Sequence, residues 1–93
     1  AFYSLVIKAM AEAGVEEGLP GDVALKLAAQ TAKGVGKVLL ESGMDPEELI
    51  EMVRSPGGTT EAGLKKLEEM AAAKAFREAV RAAVKRAKEL KQS

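Results

Sequence analysis

Apolar residues return at helical spacing through most of the chain, and no segment alternates with the two-residue rhythm of a strand. The opening stretch Ala1–Ala13 (AFYSLVIKAMAEA) predicts a helix, with Gly14 as the residue that stops it. It begins without a capping side chain, directly on Phe2, Tyr3, Leu5, Val6 and Ile7, which cover nearly the whole circumference. An all-round apolar helix needs cover on every side, and a small monomer has too little chain to supply it. The abrupt start also reads as a cut within a longer protein.

Residues 15–21 form a connector punctuated by Gly18, Pro20 and Gly21. Asp22 is the predicted N-cap of a second helix that runs to about Ser42, before Gly43. Val23, Leu27, Ala28, Thr31, Val35, Val38 and Leu39 mark its apolar face. Gly34 and Gly36 stand in mid-helix, where each costs about 1 kcal/mol against Ala, and the stretch reads as a tight helix crossing. Asp45-Pro46-Glu47-Glu48 starts a third, short helix. Asp45 caps it, Pro46 takes the first turn, and Glu48 stands where a capping box places a carboxylate. This helix ends near Arg54.

A fourth helix begins at about Glu61, capped by Thr59 or Thr60. In the last segment Phe76, Val80, Val84 and Ala87 form a stripe, with Lys, Arg and Glu on the other faces. Leu67-Glu68-Glu69 runs into Met70-Ala71-Ala72-Ala73 without a breaker, which leaves both a turn and a continuous helix open. The fold class is all-α, about five helices in one domain over residues 1–93, with no repeat and no low-complexity linker.

Composition narrows the function. Fourteen basic residues balance fourteen acidic ones. That neutrality argues against nucleic acid or an anionic membrane as partner, since both attract a basic excess. No run approaches the roughly 18 apolar residues of a bilayer span, and no signal peptide is visible. Cys and His are both absent. Disulfides, thiol catalysis, the commonest general base and the commonest metal ligand go with them, which fits a cytoplasmic protein with no metal site.

One stretch has chemical capability, Ser55-Pro56-Gly57-Gly58-Thr59-Thr60. Its glycines reach positive φ and let a ligand approach the backbone. The first-turn amides of the next helix lack intrahelical partners, and the helix dipole favours an anion there. A plain capped turn between helices is the other reading, and on the residues alone the more common one.

The motifs carry a resemblance. SPGGTT followed by EAGLKKLE resembles the signature of pyrroline-5-carboxylate reductase, and AGV, GLP, LAAQT, LLESG and the closing KEL stand in the family's order. The similarity covers essentially the whole chain. It implies a helical dimerisation domain of the 6-phosphogluconate-dehydrogenase C-terminal type, forming an obligate homodimer by interleaving helices between subunits. The interface would use Phe2, Leu5, Val6, Leu27, Thr31, Gly34, Val35, Val38 and Leu39. It also implies that backbone amides of the loop (Ser55, Gly57, Gly58, Thr59, Thr60) hold the substrate carboxylate, with the Thr60 hydroxyl nearest the ring nitrogen. A weakly bound small carboxylate or other anion is the only ligand expected of the chain alone.

Two departures from the family pattern stand out. The Gly-rich dinucleotide fingerprint is missing, so the N-terminal Rossmann coenzyme domain is read as absent, no cofactor is expected, and the isolated chain is not an enzyme. The family usually places a glycine just after its Leu-Glu pair, and here Glu69, Met70 and Ala71 follow instead. An engineered, entangled dimer scaffold is the first reading of its origin; the alternative is a natural fragment of a reductase that works in proline synthesis only with its coenzyme domain.

Overall fold

The computed structural model describes residues 1–92. Among them the chain is all helical: α1 (Phe2–Glu16), α2 (Gly21–Ser42), α3 (Pro46–Val53), α4 (Thr59–Glu69) and α5 (Ala72–Gln92). It divides into two compact units, Ala1–Ile50 and Glu51–Ser93, with the boundary inside α3.

The first unit is built on a packed hairpin of α1 and α2. Gly14 does not end α1, as its residue type suggested; the helix continues through it to Glu16. The stop comes four residues later, at Gly18, whose φ of +108° only glycine adopts easily. Leu19 N–H donates to the Gly14 carbonyl (3.0 Å) and Gly18 N–H to the Val15 carbonyl (3.0 Å), the two bonds of a Schellman motif. Gly14 has a different task. A Cβ there would stand 3.2 Å from the Ala24 Cβ and 3.3 Å from Leu19 Cδ1. The missing side chain thus lets α2 come down onto α1, and Ala24, 3% exposed, is the one buried residue among those described.

Asp22 is not the N-cap of α2 either. Pro20 holds that position with an extended backbone (φ −60°, ψ 145°), and its carbonyl accepts the Ala24 N–H at 2.9 Å. Proline's fixed φ already gives the cap conformation, so the helix starts early and Asp22 falls in its first turn, near the positive end of the dipole. At the far end Gly43 is left-handed (φ +68°), as its position predicted. Asp45 Oδ1 accepts the Glu47 N–H at 2.9 Å and caps α3, whose first residue is Pro46. That helix closes at Val53, and Arg54 pairs with Glu51 on the surface (3.2 Å).

In the second unit α4 and α5 are separate helices, which settles the point left open above. Ala71 turns the chain in the left-handed region (φ +54°), and its N–H donates to the Glu68 carbonyl at 3.0 Å. An L-residue there costs about 1–2 kcal/mol. Met70 N–H to the Lys66 carbonyl (3.1 Å) and Ala75 N–H to the Ala71 carbonyl (3.0 Å) hold the two sides of the corner.

Candidate functional site

The loop between α3 and α4 is a closed turn. Gly58 N–H donates to the Ser55 carbonyl at 2.9 Å, with Pro56 and Gly57 between them. Gly57 has φ +73°, and a proline followed by a positive-φ glycine is the residue pattern of a type II turn. Gly58 is extended instead (φ −85°, ψ 179°), and space is what it supplies. A Cβ on it would lie 3.1 Å from the Ser55 carbonyl oxygen and 3.2 Å from the Ser55 Cβ.

Neither Thr59 nor Thr60 caps α4, contrary to expectation. The N-cap is Gly58, with no side-chain cap bond, and both threonines lie within the first turn. Glu61, the third residue of the helix, reaches back so that its Oε2 accepts the Gly57 N–H. The carboxylate thus closes the helix start one residue before the N-cap, a variant of the capping box in which no hydroxyl takes part. That residue escaped the sequence reading, although a Glu three places after a cap position is a legible signal. The first α4 amide with a backbone acceptor is that of Ala62, on the Gly58 carbonyl at 3.2 Å. The amides of Thr59, Thr60 and Glu61 come before it, at the positive end of the helix dipole.

The loop residues Ser55, Gly57, Gly58, Thr59 and Thr60 are thus brought together in one turn and one helix start. The interface candidates gather in the first unit. Phe2, Leu5 and Val6 lie in the first two turns of α1. Leu27, Thr31, Gly34, Val35, Val38 and Leu39 follow one stripe of α2. Most of that stripe is open: Leu27 is 53% exposed, Val35 43% and Val38 41%. The Thr31 hydroxyl turns inward and donates to the Leu27 carbonyl (2.7 Å), so it presents mainly its methyl group. Nothing lies within 4 Å of a Cβ built on Gly34 or Gly36. The tight crossing expected there is therefore not made by this chain's own helices; the one it does make is at Gly14 and Ala24.

Among the described residues there is no group of three or more acidic side chains placed to hold a metal ion, and no helix long and apolar enough to cross a membrane.

Comparison with known proteins gives a consistent result. The family model for pyrroline-5-carboxylate reductase dimerisation matches residues 1–90. The chain is 51% identical over 90 residues to the pyrroline-5-carboxylate reductase of Methanosarcina acetivorans, covering 97% of this chain and 33% of that one. To the enzyme of Arabidopsis thaliana it is 44% identical over 93 residues, covering 100% and 34%. Among solved structures, the 1-pyrroline-5-carboxylate reductase of Streptococcus pyogenes superposes with a TM-score of 0.81 at 37% identity, covering 84% of this chain and 30% of that one. The Plasmodium falciparum pyrroline carboxylate reductase, solved with NADP bound, gives 0.84 at 33% identity, covering 88% and 31%. The chain spans about a third of the length of the curated relatives it matches.

Proposed function

Because the chain belongs to the pyrroline-5-carboxylate reductase dimerisation family, we propose that it works as the homodimerisation module of such a reductase, interleaved with a second copy of itself. The stripe on α2, together with Phe2, Leu5 and Val6 of α1, meets that copy. The observation that carries this reading is the lack of cover: among the described residues only Ala24 is buried, while Leu27, Val35 and Val38 stand open beside the empty space at Gly34. Burying apolar surface stabilises by about 25 cal/mol per Å², and a second copy is the available source of that burial.

In this reading the loop Ser55–Thr60 receives the carboxylate of pyrroline-5-carboxylate. Glu61 already occupies the Gly57 amide, so the amides of Thr59, Thr60 and Glu61 are the donors, with the Thr60 hydroxyl beside them. Hydride transfer needs a coenzyme held against the substrate, and no Gly-rich dinucleotide fingerprint lies within these residues. The module therefore contributes assembly and half of a substrate site, in the cytoplasm, and reduction waits on a coenzyme-binding portion. Nothing in the comparisons supports an engineered scaffold, and the natural-fragment reading is the one we adopt.

Light scattering at micromolar concentration should return twice 9.8 kDa. A well-folded monomer would sink the dimer. For the loop, titration with proline should move the amide resonances of Thr59, Thr60 and Glu61 with millimolar or weaker affinity, since an open half-site stays wet. A flat response to about 100 mM proline would remove the carboxylate role.

A further inference from the structure

The corner between α4 and α5 is held against the local preference of its residues. No glycine or proline occurs from Leu64 to Ser93, and Leu67 through Lys74 are all strong helix formers. The chain nevertheless bends there, with Ala71 left-handed at φ +54°. Among the described residues it is the one non-glycine residue at positive φ. The turn between α1 and α2 has the same task and uses Gly18. The bend also interrupts the backbone ladder. Ala71 N–H donates to the Glu68 carbonyl, three residues back, and α5 then starts with Ala75 N–H on the Ala71 carbonyl. A straight helix would give the amides of Ala72, Ala73 and Lys74 acceptors at Glu68, Glu69 and Met70.

The packing that opposes these terms is thin. No described residue of the second unit is buried. Leu67 and Phe76 line the inside of the angle and are still 48% and 46% exposed. Between the two helices lies an open hollow of about 510 Å³, lined also by Leu64, Ala72 and Ala73. Local backbone terms thus favour one straight helix, and a modest set of apolar contacts favours the bend. Opposed terms of similar size give two populated shapes.

We propose that this corner is a two-state hinge at residue 71, in which the bend exchanges with a single straight helix from Thr59 to Gln92. The bend gathers Leu64, Leu67 and Phe76 on one concave face, where association can cover them, and straightening swings them apart. The bent shape is therefore the one that assembles. The inference rests on the self-association reading above and adds a control on it. Straight chains are withdrawn from assembly, so the apparent dissociation constant rises as the bent fraction falls.

Distances across the corner test it. The chain has no cysteine, so Ala62→Cys and Lys85→Cys supply two spin-label sites, both exposed, one on each helix. A straight helix holds them about 35 Å apart at 1.5 Å per residue, and the bend brings them closer. Electron–electron double resonance is recorded on labelled chain in excess unlabelled chain, which keeps distances between copies out of the signal. Two populations are expected, and the one near 35 Å should shrink as total protein rises. Ala71→Gly tolerates the left-handed backbone and weakens the straight helix, so the ratio should move at least about tenfold toward the bend. Ala71→Val should move it the other way, because a β-branched residue is a poor fit to that region; if this variant fails to fold, the glycine variant decides. A single distance in the wild type overturns the proposal, and so does a ratio that Ala71→Gly leaves unchanged. A ratio independent of concentration, in a chain that light scattering shows to dimerise, overturns the link to assembly. A wild-type chain that stays monomeric would instead defeat the self-association reading, and the two failures are distinct.

Discussion

Gly34→Leu should abolish the dimer and with it the fold. In the single chain the position is open, with nothing within 4 Å of where a Cβ would stand. Taken alone, that openness predicts the opposite result, because removing a mid-helix glycine gains about 1 kcal/mol. A second copy packed on the stripe from Leu27 to Leu39 reverses the sign. Four carbons driven into a close helix crossing cost about 1–3 kcal/mol each time they meet a filled space. A symmetric dimer applies the change twice. The sign therefore decides between the two situations. Denaturant unfolding at two protein concentrations, with light scattering beside it, reads the outcome. A folded Gly34→Leu monomer more stable than its parent would show that no copy approaches that face.

Gly14→Leu should destabilise by about 1–3 kcal/mol, and here the obstacle is visible. The first added carbon would already stand 3.2 Å from the Ala24 Cβ, and the rest of the side chain would have to displace α2 or Leu19. Gly14→Ala is the informative control. Its single carbon crowds both the Ala24 Cβ (3.2 Å) and the movable tip of Leu19 (3.3 Å) while gaining about 1 kcal/mol of helix propensity, so the net change should be near zero. A thermal melt that ranks Leu equal to Ala at this position would mean that the hairpin is looser than the structure shows.

These two glycines also mark where the sequence was legible and where it was not. Gly43, the Asp45-Pro46 helix start and the turn beginning at Ser55 could be read directly, because the conformation of each is set by its own residue and the next one or two. Gly14 could not. Glycine is suited both to stopping a helix and to letting another helix approach, and the choice depended on Ala24, ten residues away. Asp22 and the two threonines failed for a related reason. Each is a good capping residue, but Pro20 and Gly58 had already placed the backbone in the extended conformation a cap requires, which moved the helix start ahead of them. Ala71 is the clearest case of packing over propensity. A run of strong helix formers left a continuous helix and a turn equally open, and the chain turns on a residue that pays for a left-handed backbone. The SPGGTT pattern made the turn from Ser55 to Gly58 legible, whereas the reach of Glu61 back to Gly57 depends on a side-chain conformation that no local pattern fixes.

With Ala24 the one buried residue among those described, most of the chain's large apolar side chains are left partly or largely open. On the dimer reading proposed above, folding and association are one bimolecular reaction, and stability becomes a function of how much of the chain is present. Each tenfold dilution removes about 1.4 kcal/mol from the folded dimer. On that reading, dilution should act on this molecule as a denaturant.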